Sequence, residues 1–154
     1  MAERYRFIPP NSGTSYQWSN DHSFVKVSSE DTGGAYCVIE DNLSSEFSLG
    51  LHLHRQHAES FYILEGSIPF YIDGDWMDAT AGSTIHVPPG IPHAVDKAGS
   101  PAKMIMVMLP TGFDQYLAAL EKCSDSDFEN PENMRALAER FDIFELGGVP
   151  PRPA

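Results

Sequence analysis

Between Ser23 and Pro110 the chain reads as a series of short apolar stretches, broken at close intervals by glycine, proline, asparagine or aspartate. FVKV at 24–27, AYCVIE at 35–40 and FSLGLHLH at 47–54 come first, and the last alternates with a period of two, the pattern of a strand buried on one face. Thr32-Gly33-Gly34 and Asp41-Asn42 supply the breaks. SFYILEG, ending at Gly66, and IPFYIDGDWM continue the series. Within the latter, Asp73-Gly74 between apolar flanks signals a two-residue hairpin that needs positive φ. STIHVPPG, HAV at 93–95 and KMIMVMLP at 103–110 follow, punctuated by Pro and Gly. Strands of this length and spacing predict an all-β sandwich or barrel, and no run of βαβ units competes with that reading.

After Thr111 the period changes. Phe113, Tyr116, Leu117 and Leu120 follow the i, i+3, i+4, i+7 rule of an amphipathic helix that Thr111 is placed to cap. NPENMRALAERF predicts a second helix, with Asn130 as N-cap, Pro131 in the first turn, and Met134, Leu137 and Phe141 on one face. The final GGVPPRPA reads as disordered or draped coil. At the other end, aromatics mixed with Pro9, Pro10, Asn11, Gly13 and Asn20 favour an extended arm over a helix. The expected organisation is an N-terminal arm over 1–22, a β-barrel domain over 23–110, and a C-terminal helical extension and tail over 111–154. At 154 residues this suits one domain with a single core.

Charge narrows the partners. Ten Lys and Arg against 22 Asp and Glu give a net charge of −12, which repels phosphate backbones and anionic lipid surfaces, so neither nucleic acid nor membrane is expected. Cys37 and Cys123 lie far apart without zinc-ligand spacing and fit a reducing cytoplasm. There is no apolar run long enough for a signal peptide or a membrane span, so the mature chain is expected to be the one seen. Exposed sheet edges and an arm available for exchange lead us to expect a homodimer.

Three of the six histidines fall in LHLHRQHAES, residues 51–60. On a regular strand His52 and His54 point to one face with Glu46 and Ser48, leaving Leu49, Leu51 and Leu53 on the other. Two imidazoles on one face suit Zn, Fe, Ni, Cu or Mn, and Glu59, after a four-residue connection, adds an oxygen donor.

These residues resemble the cupin family. Its first motif matches from His52 through His54 and Glu59 to Gly66, and its second at Gly82, Pro88, Gly90 and His93. Two positions depart from it: Glu46 stands where the family has glycine and Lys97 where it has asparagine, which either alters the pocket edge or reflects loose motif ends. LPTGFDQYLAAL is also similar to the stretch after the last strand of quercetin dioxygenase-like cupins. The resemblance implies a double-stranded β-helix, or jelly roll, with one divalent metal held by His52, His54, Glu59 and His93. The alternative, histidines hydrogen-bonded at strand edges, would bury much polar surface without a cation.

Other candidates carry weaker signals. His57 reads as a solvated loop residue, with a place behind the ligands or at the pocket rim as the alternative. His86 reads as a hydrogen-bonded strand residue that would approach the pocket only if it faced inward. Phe61, Ile63, Phe70 and Met106 line either an apolar pocket or plain core. Met104, Met106 and Met108 share one face. The expected activity is a metal-dependent dioxygenase, in which a flavonol-like or other enolisable substrate loses a proton to Glu59 and is cleaved by O2. A non-redox lyase, isomerase or cyclase, and a module that binds a small molecule without turnover, are the alternatives.

Overall fold

Alternation of inward and outward side chains carries most of the chain into two facing sheets in the computed structural model, which describes residues 5–154. With strands numbered in chain order, the larger sheet runs β1 (Ser15–Trp18), β2 (Asp21–Val27), β3 (Cys37–Leu43), β10 (Ala102–Leu109), β5 (Ala58–Glu65), β8 (Thr84–Val87). The smaller runs β11 (Phe144–Glu145), β4 (Leu49–Leu53), β9 (His93–Val95), β6 (Ser67–Ile72), β7 (Asp75–Thr80). Neighbours pair antiparallel throughout, as in β3 with β10 and β6 with β9. This is the jelly roll that the strand pattern and motifs foretold.

Strand β10 shows why the layers hold. Ala102, Met104, Met106 and Met108 point inward and are buried, while Lys103, Ile105 and Val107 between them are less so. Across β3 and β5 they form rows: Met104 with Asp41 and Ile63, Met106 with Ile39 and Phe61, Met108 with Cys37 and Glu59. Ile39, Ile63, Ile68 and Phe70 are wholly buried, and each such side chain contributes about 1.5–3 kcal/mol. Asp73 and Gly74, with φ of 49° and 101°, make the expected hairpin between β6 and β7.

Four local expectations change. First, β4 is not regular. Leu49 pairs with Val95 but His52 with His93, so three steps on β4 match two on β9, and this bulge reverses the facing of everything before it. Phe47 is therefore buried at 2% exposure and Leu49 packs against the core, whereas Glu46 faces solvent instead of sharing the histidine face. Second, Ser15–Trp18 of the expected arm pairs with Asp21–Phe24 of the same chain as an edge strand; the arm's first four residues lie outside the described residues. Third, Thr111 does not cap α1 (Phe113–Glu121): Gly112 holds that position without a side-chain cap. A short α2 (Asp125–Phe128), unforeseen, starts from a Ser124–Asp127 capping box, while α3 (Pro131–Arg140) begins as expected, with Asn130 accepting from the Glu132 and Asn133 N–H groups. Fourth, the tail is draped and ordered: Phe144 and Glu145 pair with Leu53 and His52, the Leu51 N–H donates to Gly148, and Arg152 makes a bidentate pair with Asp78.

Candidate metal centre

Four side chains from three strands and a turn converge at one end of the interior. His52 lies on β4, His54 just beyond it, Glu59 on β5 and His93 on β9. One ligand atom from each lies within 4.8 Å of all the others. Glu59 Oε2 stands 3.0 Å from His93 Nε2 and 3.3 Å from His54 Nε2, and His54, Glu59 and His93 are each at least 95% buried.

The backbone sets how the rings point. His52 Nδ1 is 2.8 Å from the Gly50 carbonyl, His54 Nδ1 2.9 Å from that of Asp142, and His93 Nδ1 2.9 Å from that of Ile91. A carbonyl only accepts, so each Nδ1 carries the proton and donates it, and each Nε2 turns its lone pair toward the shared centre. Histidine ligands are oriented by just such partners. His54 Nε2 is buried with no hydrogen-bond partner among the described residues, since its approach to Glu59 lacks the alignment of a hydrogen bond. An orphaned imidazole nitrogen beside a carboxylate and two further imidazoles is the donor set a divalent transition metal satisfies.

Electrostatics agree for His52 and Glu59. Burial, joined by the nearby His93, lowers His52 to about 4 and keeps it a neutral donor. Burial alone would raise Glu59, but the flanking His54 and His93 outweigh it and hold the carboxylate well below its usual range. For His54 burial pulls downward, and the Glu59 carboxylate with the Asp142 carbonyl reverses that to a net rise.

Asp142, which the sequence reading missed, organises the far side. Besides its carbonyl bond to His54, its carboxylate accepts the backbone N–H groups of Arg55, Gln56 and His57 and lies 2.7 Å from His57 Nδ1. These donors hold it below the usual carboxylate range even though burial acts the other way. His57 is thus not solvated: it is 8% exposed, with Nε2 2.9 Å from the Thr111 carbonyl, and it stands behind His54 rather than on the cavity wall. No local motif marks Asp142; it arrives through the return of the chain from α3.

The cluster opens into a cavity of about 330 Å³, within the range of small-molecule sites. Phe61 and Met106 line it as expected, joined by Trp18 and Phe47 and by Phe113 and Tyr116 of α1. Ile63 and Phe70 do not: they are wholly buried core. His86 faces outward on β8, bonded to Ser60 at 2.9 Å, since alternation puts Ile85 and Val87 inside. Glu46 and Lys97, the two departures from the motif, form a surface ion pair at 2.7 Å and leave the pocket edge untouched.

Residues 43–108 match the cupin domain family. Quercetin 2,3-dioxygenase of Bacillus subtilis is 30% identical over 104 residues, 68% of this chain; the chain spans only 27% of that protein. Among solved structures, KdgF from a Halomonas species superposes with a TM-score of 0.64 at 12% identity, covering 72% of this chain and 98% of its own. A predicted oxalate decarboxylase from Thermotoga maritima gives 0.63 at 22% identity, with 68% and 99% covered. At such identities the structural likeness speaks for the fold alone. The matched stretch holds every residue of the cluster, and the chain belongs to the cupin superfamily, in which it resembles the quercetinase-like cupins.

Proposed function

We propose that the chain is a metal-dependent dioxygenase acting on a flavonol-like or other enolisable small molecule. The observation that carries this reading is the buried His52, His54, Glu59, His93 cluster, with ring lone pairs directed inward, at the end of a mostly apolar cavity. A divalent transition metal, with Fe, Ni, Mn, Cu and Zn all compatible with this donor set, would supply a Lewis-acidic centre with positions open to substrate oxygen atoms. The chain does the rest. Phe61, Met106 and Phe113 exclude water around an aromatic substrate, and Glu59, held ionised, takes the proton from its enol hydroxyl. The 30% identity to a quercetin dioxygenase supports this class.

Oxygen-electrode measurements on metal-reconstituted protein test it. Flavonol loss matched by O2 uptake is expected, with Glu59→Gln slower by about 10²–10⁴-fold at equal metal content. Turnover of enolisable compounds without O2 uptake would replace the dioxygenase by a lyase, isomerase or cyclase, and binding without turnover would leave a small-molecule carrier. The proposal places the protein in the cytoplasm as a homodimer. Light scattering of the full chain and of a form lacking residues 1–20 tests whether the N-terminal segment joins the subunits. Among the described residues no helix is long and apolar enough to cross a membrane.

A further inference from the structure

Two carboxyl groups that the metal cluster does not use lie on the inner face of the larger sheet. Asp21 on β2 is 4% exposed, Asp41 on β3 is 3% exposed, and both line the cavity. Ser23 sits between them, wholly buried: its Oγ is 3.1 Å from Asp21 Oδ2 and 2.8 Å from Asp41 Oδ1, and it accepts the Trp18 Nε1–H at 2.8 Å. One hydroxyl proton cannot serve two carboxylate oxygens at once, and two carboxylates this close do not both ionise. The pair therefore keeps a proton. Burial, with the Asp41 charge beside it, pushes Asp21 up to about 10, and burial raises Asp41 as well.

Even so, Asp21 Oδ1 is buried and has no hydrogen-bond partner among the described residues. An acceptor left this way is costly, and the next inward residues on the same strands, Val25 and Ile39, are plainly apolar. Among the described residues no lysine or arginine lines the cavity, whereas Asp21, Asp41, Glu59 and Glu145 do. A group that satisfies Asp21 must therefore donate a hydrogen bond and carry no negative charge. Register sets it apart from the metal cluster: Asp41 faces Met104 and Glu59 faces Met108, an offset of four residues or about 13 Å along β10, on strands to either side of it. A fused-ring or biaryl molecule spans that length, and Trp18, Phe47 and Phe61 offer it apolar walls.

We infer that Asp21 and Asp41 form a second polar anchor of the cavity, receiving a hydroxyl or protonated amine at the end of an aromatic ligand remote from the His52, His54, Glu59 and His93 cluster. This rests on the reading that the cavity takes a small molecule, whatever reaction follows.

Calorimetry with three matched probes tests it: 2-naphthalenemethanol, 2-naphthylmethylammonium and 2-(methoxymethyl)naphthalene. At least one donor probe should bind about tenfold tighter than the ether, the scale of one hydrogen bond, in metal-loaded and metal-free protein alike. Which donor is preferred tells hydroxyl from amine ligands. In Asp21→Leu and Asp41→Leu, which keep the volume and remove the acceptor, the preference should fall below about threefold while ether affinity holds. Should either variant fail to fold, the wild-type comparison and Ser23→Ala decide. Equal affinities, a preference confined to the metal-loaded form, a preference intact in the variants, or no binding of any probe would overturn the anchor. Absence of O2 uptake with the probe preference intact would instead sink the dioxygenase and spare the anchor.

Discussion

Each of the three imidazoles in this cluster commits its Nδ1 proton to a backbone carbonyl, those of Gly50, Asp142 and Ile91, and so turns Nε2 toward the shared centre. Asp142 holds His54 and the loop behind it together, so Asp142→Asn, which tolerates its φ of 63° but replaces an acceptor oxygen by a donor, should weaken metal binding by about tenfold or more. Competition against a chelating dye measures this; unchanged affinity would remove Asp142 from the site's architecture. Asp21 makes a prediction of opposite character. Its pKa rises from 3.8 to about 10 on folding, so its contribution to stability is complete below pH 3.8 and is lost as the pH climbs toward 10. Asp21→Asn should therefore melt at a higher temperature than the natural protein at pH 8, by about 4 °C or more, and the gap should close toward pH 4. A gap that is absent or of the other sign would show that the carboxyl is not held protonated.

The bulge in β4 connects element geometry to the site. It brings Leu49 and His52 to the same side, and Gly50 lies within it, where an added Cβ would stand 2.6 Å from the Gly147 carbonyl oxygen. Gly50→Ala must push the C-terminal strap away or distort the strand, at a cost of about 1–3 kcal/mol in urea unfolding. It should weaken the metal too, since the Gly50 carbonyl orients His52. Retained stability and affinity would contradict this coupling. Much of this architecture was legible in the sequence. Period-two runs and Asp73-Gly74 foretold the strands and one hairpin, and the motif spacing named His52, His54, Glu59 and His93. The bulge was not legible, because one extra residue leaves the alternation of FSLGLHLH looking regular. Asp142 and β11 lay beyond reach for a different reason: they meet β4 only through long-range pairing of a segment with no strand pattern of its own. Asp41 was within reach, since it follows Cys37 and Ile39 in the inward register of β3.

As a whole the molecule carries a net charge of −12 around a cavity on whose wall no lysine or arginine stands among the described residues. Such a field slows encounter with anions and is screened by salt. For an active substrate pair differing only by a sulfate, kcat/KM of the anionic member should rise several-fold from about 10 mM to 500 mM salt, with the neutral one nearly constant. Parallel responses would show that the field does not reach the cavity mouth. Everything functional depends on the cluster seating one metal ion. An anomalous-difference map, recorded at the metal's absorption edge on crystals grown with that metal, is the most direct check. The account predicts a single peak about 2.0–2.3 Å from the Nε2 atoms of His52, His54 and His93 and from a carboxylate oxygen of Glu59. A map with no peak there, or with the metal bound elsewhere, would contradict it.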